Sequence, residues 1–424
     1  MAGKKSKRIF ISDIHMGDSR SVKTSSANPY EYGWFADKEG ANQNRPKMLA
    51  DFLEKYVIND GTVDELVVLG DLFDEWVCPA NISPIEPTFA NQWEVIANAS
   101  QNNKVFSHLK KIARTGRLIY VTGNHDMLST EHKSKEAIEG LLPGVRYFGK
   151  DGLGTYESDD EILIAQHGHK YCLFNSPWLD TSGSTGFEAS MLPMGFDIAR
   201  LDAQFFAQKG HGYNLLDFVW DAIKDIFIKK GLELELFSVV EKHEAFSKEI
   251  STLIDEAIID AFKCFYSDNV FKNQPGIVYD GLDDVPGTVI WEAIDNRYSN
   301  IFSQWEKFHP KNVSALRAMI NDMGYLESGA KYLMQHQKCK IVIFGHTHIW
   351  KFKTLQENSA DFDEESKPTA HQIYANSGTW INAKPCTFVK TEASGNTHTV
   401  SVWKYEDNKV HQLPNSCSSI EIDL

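Results

Sequence analysis

Leu66-Val67-Val68-Leu69-Gly70-Asp71-Leu72-Phe73-Asp74 is the stretch from which the rest of this chain can be read. An aliphatic, β-branched run closed by Gly and Asp predicts a buried strand over 65–69 whose C-terminal edge carries a carboxylate. In open α/β sheets that edge is where ligands bind. A single Asp there is equally well a turn former or a helix cap. Recurrence gives it meaning, because four other apolar runs also end in side chains that bind metals.

Residues 9–11 form a short apolar run that delivers Asp13-Ile14-His15. The run 117–121 ends in Gly123-Asn124-His125-Asp126, and 162–166 ends in His167-Gly168-His169. A last such run, 340–344, ends in Gly345-His346-Thr347-His348. Further strands are expected at 145–148, 154–157, 371–375, 387–390 and 399–405. Met48, Leu49, Phe52, Leu53 and Tyr56 fall at helical spacing, and helices are also expected over 89–114 and 131–142. The Ser-, Asn- and Gly-rich stretch 17–44 is long for a loop in a compact domain, and such loops are usually functional or disordered; the acidic stretch 357–367 reads as a solvated loop.

Between the fourth and fifth of these motifs the strand rhythm stops. Residues 172–339 read as a mainly helical insertion, with apolar stripes over 215–227 and 239–261 and a turn cluster at 280–286. Packing of helices on one another explains such stripes most simply, and His243 on one of them reads as a core histidine. Peripheral membrane or acyl-chain contact is the sharper alternative. The organisation expected is therefore an α/β domain made of 1–171 and 340–412, the insertion, and a C-terminal tail over 413–424. Lying between two motifs, the insertion is placed to act as a lid.

The chain has 424 residues and a formal net charge of −15. That balance argues against a broad nucleic-acid surface or an anionic-membrane patch. It leaves room for a phosphate substrate, since bound divalent cations reverse the local field. The six cysteines are scattered without a Cys-x-x-Cys pair, which suits a reducing compartment. No signal-peptide core and no run of membrane-spanning length is present, so a cytoplasmic protein is expected.

Asp and Asn oxygens together with imidazole nitrogens suit Mn2+ first, with Fe or Zn2+ as alternatives, over thiolate-preferring ions. Asp-x-His or His-x-His on a strand would put both side chains on one face; a tight loop could do the same. Asp13, His15, Asp71, Asn124, His167, His346 and His348 are too many ligands for one tetrahedral zinc. They suit two divalent metal ions sharing a carboxylate, with Asp71 the natural bridge. Two such ions can share a hydroxide and clamp the oxygens of an in-line displacement, as phosphate ester hydrolysis needs.

In this order the five motifs resemble those of the calcineurin-like metallophosphoesterases. The resemblance covers about 9–169 and 340–405. It implies a four-layer α-β-β-α sandwich of two mixed sheets, and a phosphoester or pyrophosphate bond cleaved by attack of a metal-bridged hydroxide. It also implies that Asp13, His15 and His348 hold one metal, that Asn124, His167 and His346 hold the other, and that Asp71 bridges. His125 would act on the leaving group or the charged transition state, with Asp126 orienting it.

The serine/threonine phosphatase branch has an Arg near its second motif and Glu after the catalytic His. Here Gly70–Trp76 holds no Arg and Asp126 follows His125, so a protein phosphatase is not expected. Gly70-Asp71-Leu72-Phe73-Asp74-Glu75-Trp76 resembles instead the branch of UDP-2,3-diacylglucosamine hydrolase, which cleaves a pyrophosphate under a helical lid. His169 departs from that branch, which has Asp there, and the insertion is longer. The role of Asp74 stays open between shaping the loop and supporting the site. The expected partner is a phosphate-containing small molecule. A catalytically silent scaffold that binds proteins through its helices is the alternative, and the complete ligand set argues against it. A nuclease is disfavoured by the acidic balance.

Overall fold

The computed structural model describes residues 6–17, 35, 44–74, 89–127, 131–149, 153–172, 175–177, 193, 195, 326–337, 339–355, 372–381 and 384–422. Within them the apolar runs pair into two mixed sheets. β1 (Ser6–Ile11), β2 (Glu65–Leu69), β3 (Leu118–Val121) and β4 (Arg146–Phe148) lie side by side and parallel. β10 (Cys386–Ser394), β11 (Thr397–Glu406) and β12 (Lys409–Glu421) extend that sheet antiparallel from β1, giving the order β12-β11-β10-β1-β2-β3-β4. The second sheet runs β5-β6-β7-β9-β8. Its centre, β6 (Leu163–Ala165), β7 (Ile341–Phe344) and β9 (Gln372–Asn376), is parallel. β5 (Tyr156–Glu157) and β8 (Lys351–Leu355) close its edges antiparallel.

Alternation along the strands explains the layers. Phe10, Val67, Leu69, Ile119 and Val121 pack against Leu163, Ala165, Ile341, Ile343 and Ala375, which joins the sheets face to face. Their neighbours in sequence, Ile9, Ile11, Leu66, Val68 and Tyr120, point to the other face of the first sheet. There they meet Leu49, Phe52, Phe106, Leu109 and Ile112. These last residues belong to α1 (Arg45–Leu53) and α3 (Asn103–Ala113). A third cluster packs Leu326, Ala330, Leu333 and Met334, at and within α5 (Glu327–His336), on Ile164, Val342, Phe344 and Tyr374. Burial of strands on both faces is why their sequences read as unbroken apolar runs. The result is the α-β-β-α sandwich of two mixed sheets.

Several expectations are corrected. The helical pattern over 89–114 is two helices, α2 (Phe89–Asn98) and α3, because the buried Asn102 turns the chain between them by bonding Ile96 O and Gly17 O. Residues 413–421 are not a tail; they continue β12, the outer strand of the first sheet. Residues 326–336, assigned by sequence to the insertion, pack as α5 on the second sheet. β8 was not foreseen, since Lys-Phe-Lys-Thr-Leu at an edge carries little apolar signal. α4 (Glu131–Leu141) lies where a helix was expected. The apolar stripes at 215–227 and 239–261, His243, the 280–286 turn cluster, most of the 17–44 loop and the 357–367 loop lie outside the described residues.

Candidate metal centre

All five motifs emerge at the C-terminal ends of β1, β2, β3, β6 and β7, the central strands of the two facing sheets. The loops after β1 and β2 run together. Asp13 N–H donates to Gly70 O (3.2 Å), and Ile14 and His15 N–H donate to Asp71 O (2.9 and 2.8 Å). Asp13 and His15 are therefore not on a strand. Asp13, His15 and Asp71 each have φ of +53°, and His346 and His348 have +73° and +56°. L-residues pay roughly 1–2 kcal/mol in this left-handed region, and such strain gathers where function over-determines the backbone. Left-handed turns, not strand alternation, bring the paired side chains of Asp-x-His and His-x-His inward. Gly70 (φ +76°) completes this crowding, because an added Cβ would fall 2.5 Å from Gly123 Cα and 2.7 Å from His167 Nδ1.

The seven expected ligands come together in two clusters. Ligand atoms of Asp13, His15, Asp71 and His348 lie within 4.8 Å of one another, and so do those of Asp71, His167 and His346. Asp71 belongs to both. Its Oδ2 is 3.6 Å from His15 Nε2 and 3.2 Å from His167 Nε2, while its Oδ1 accepts the His125 backbone N–H at 2.9 Å. In the first cluster His15 Nε2 faces His348 Nε2 at 2.9 Å, and His348 Nε2 lies 3.3 Å from Asp13 Oδ1. In the second, Asn124 Oδ1 is 2.9 Å from His167 Nε2 and 3.0 Å from His346 Nδ1.

Donor chemistry fits divalent cations in both places. His167 Nδ1–H donates to Leu69 O (2.6 Å), which leaves Nε2 with a lone pair among the oxygens of Asn124 and Asp71. A carbonyl or carboxylate oxygen cannot donate, so only a proton or a cation satisfies that group of acceptors. Burial opposes protonation of His167, yet the Asp71 and Asp13 carboxylates push it up to about 9. Burial keeps His15 and His346 below the usual imidazole range, neutral and able to donate lone pairs. Asp71 is held well below the usual carboxylate range: its burial is outweighed by His167 and His125.

His125 and Asp126 behave differently from expectation. The carboxylate on the His125 ring is Asp74, whose Oδ1 is 2.8 Å from Nδ1. The Asp126 carboxylate instead accepts backbone N–H groups of Phe73 (3.0 Å), Leu72 (3.3 Å) and Gly123 (3.4 Å), tying the Asp71 turn to the Asn124 turn. Asp126 is thus a support of the backbone that carries the ligands, pushed up to about 7 by burial and the nearby Asp71 charge. Asp74 also reaches His15, with Oδ2 3.5 Å from Nδ1, and His15, Asp74 and His125 form a third convergent group. Asp71-x-x-Asp74 was visible as a spacing, but the backbone that carries Asp74 is held from another loop, its N–H donating to Met16 O (2.9 Å).

Sequence reasoning missed a supporting loop after β9. Ser12 Oγ donates to Asp13 Oδ2 and lies 2.6 Å from Ser377 Oγ, while Thr379 Oγ1 donates to Asp13 O (2.7 Å). Asn376 Nδ2 donates to Gly345 O at 2.6 Å, holding the turn before His346. The signal available was Asn376-Ser377-Gly378-Thr379 at another strand end. His169 is buried, its ring 5.3 Å from that of His167 and 6.4 Å from that of His346, and it belongs to neither ligand cluster.

Residues 6–212, just under half of the chain, match the family model described as calcineurin-like phosphoesterase. No curated protein matches the chain. Among solved structures, Vacuolar Protein Sorting 29 from Cryptosporidium parvum is similar at 18% identity over 23% of this chain, with a TM-score of 0.16; the chain spans only 45% of that protein's length. A predicted phosphoesterase from Streptococcus pneumoniae TIGR4 is similar at 10% identity over 99% of this chain and 100% of its own, with a TM-score of 0.30. The calcineurin-like phosphoesterase YfkN from Bacillus subtilis is similar at 10% identity over 98% and 90%, with the same TM-score of 0.30. Among the described residues no helix is long and apolar enough to cross a membrane.

Proposed function

We propose that the chain is a two-metal phosphohydrolase acting on a phosphoester or pyrophosphate bond of a small molecule. One observation carries this reading: the two ligand clusters share a single carboxylate, Asp71. Two divalent cations held there, Mn2+ in first place given the Asp, Asn and His donors, would supply a nucleophilic water at neutral pH and charge to clamp the transferring phosphoryl group.

The chain's own residues do the rest. Asp13, His15, Asp71 and His348 hold one side, and Asp71, Asn124, His167 and His346 the other. His125 stands at the edge of the first cluster, its ring 4.6 Å from that of His15. Burial works against a charged His125, but Asp74 and Asp71 outweigh it and raise it above the usual imidazole range. A protonated His125, with Nδ1–H held by Asp74, has Nε2–H to give to a leaving oxygen or to the charged transition state. The absence of Arg from Gly70–Trp76 supports a small-molecule substrate over a phosphoprotein.

The test is hydrolysis of bis-p-nitrophenyl phosphate and p-nitrophenyl phosphate with added Mn2+, beside an Asp71→Ala control. Metal-dependent turnover of at least one ester, abolished in the control, is expected. A protein that binds Mn2+ and hydrolyses neither would be a scaffold on this fold.

A further inference from the structure

The second cluster has a brace of its own. Asn175 follows the 3-10 turn His169–Tyr171, with its N–H donating to Cys172 O at 3.3 Å, and is half-buried. Its Oδ1 accepts from Asn124 Nδ2 at 3.4 Å. Its Nδ2 lies 3.2 Å from Cys172 Sγ and 3.5 Å from His346 Nε2.

An amide nitrogen has no lone pair to offer a cation, so Asn124 can serve only through Oδ1. The two ends of an Asn amide are nearly the same shape, and packing alone does not choose between them. In the observed orientation Oδ1 sits 2.9 Å from His167 Nε2 and 3.0 Å from His346 Nδ1, and Nδ2 is taken up by Asn175. Turned over, the amide would set Asn124 Oδ1 against Asn175 Oδ1, two acceptors with no proton between them, and present N–H groups to the cluster. The same Asn175 lies against the far nitrogen of the His346 ring, so one side chain touches two of the three residues that are peculiar to this cluster.

We propose that Asn175 is a positioning residue that keeps the Asn124 oxygen turned into the second cluster, and so sets the affinity for the second cation. The proposal rests on the two-metal reading. It makes a half-buried loop residue, outside all five strand-end motifs, a determinant of metal loading.

The test is Mn2+ titration of the full chain, with free ion followed by electron paramagnetic resonance and binding by calorimetry, for wild type, Asn175→Ala and Asn175→Asp. Wild type should take up two equivalents. Asn175→Ala should bind the second about 10–100-fold more weakly, as loss of an outer partner of a metal ligand does, with the first unchanged. Asn175→Asp keeps an acceptor for Asn124 Nδ2 and should retain the second equivalent. An unchanged second equivalent in Asn175→Ala, an equal weakening of both, or an Asp variant as weak as the Ala variant would overturn the proposal while leaving the two-metal reading intact. A wild-type protein that binds a single equivalent would remove that reading and the proposal together.

Discussion

Asp74 Oδ1 lies 2.8 Å from His125 Nδ1, and the other oxygen of the same carboxylate lies 3.5 Å from His15 Nδ1. One side chain therefore touches both the candidate acid and a candidate ligand. Holding Nδ1–H leaves the opposite nitrogen of His125 to face substrate. Asp74 is itself pushed below the usual carboxylate range: its burial acts upward, and the His125 and His15 rings overcome it.

Asp74→Asn is expected to cut kcat by about 10²–10⁴-fold on an alkyl phosphate ester, the range general acids supply. On p-nitrophenyl phosphate, whose leaving group needs no proton, the loss should be much smaller. Steady-state kinetics on the two esters decide it. Equal losses on both would place the role of Asp74 in holding His15 and not in orienting His125.

Asp126 gives the complementary pattern. Its carboxylate receives three backbone N–H groups in a buried place, so Asp126→Ala should cost about 1–3 kcal/mol of stability through unpaired donors. Asp126→Asn, which keeps one acceptor oxygen, should cost less. Urea unfolding measures both. Neither variant should show the leaving-group dependence expected of Asp74→Asn; such a dependence in Asp126→Asn would restore Asp126 as the orienting carboxylate.

Far from the site, Asp60 anchors the start of β1 through a 2.6 Å ion pair with Lys7. Partial burial of its carboxylate acts upward, but Lys7 and Thr62 hold it at about 2. A group depressed in the folded state stabilises above its ordinary pKa of 3.8 and loses that contribution as pH falls toward 2. Asp60→Asn should thus unfold at lower temperature than wild type at pH 6, by no more than about 1 kcal/mol for so exposed a pair. The gap should narrow steadily between pH 4 and 3. A gap constant across that range would mean that the carboxylate charge is not what stabilises this turn.

What could be read from sequence follows from burial. β1, β2, β3, β6 and β7 are covered on both faces, so each is an unbroken apolar run, and the residue that ends the run marks the sheet edge. That is why Asp13, Asp71, Asn124, His167 and His346 could be placed at one edge from their neighbours alone. β8 and β12 lie at or beside solvent and pair through backbone, which leaves little trace in side chains such as Ser418 and Ser419. The assignment of Asp126 to His125 failed for another reason. In a loop, adjacency along the chain does not give direction, and Asp126 turns back to the Leu72 and Phe73 N–H groups while Asp74, far away in sequence, reaches the ring. The left-handed turns at Asp13, His15 and Asp71 were hidden too, because Asp and His tolerate a positive φ better than most residues but still rarely adopt it, and here tertiary contacts enforce it.

Those turns lead to a last expectation. His348 has φ of +56°, and its replacement by Ala or by Gly removes the same ring and the same contacts with His15 and Asp13. In His348→Ala the Cβ still crowds the following carbonyl, while in His348→Gly that contact is gone. The two variants lack the same ligand and differ in backbone strain, roughly 1–2 kcal/mol for an L-residue in this region. Glycine gives part of that back through the greater freedom of its unfolded chain, about 0.5–1 kcal/mol. The glycine variant should therefore be the more stable of the pair by a few tenths to about 1 kcal/mol in metal-free urea unfolding. Were the alanine variant equal or better, the left-handed conformation would not be strained, and the view that ligand placement here is held against a backbone penalty would fall with it.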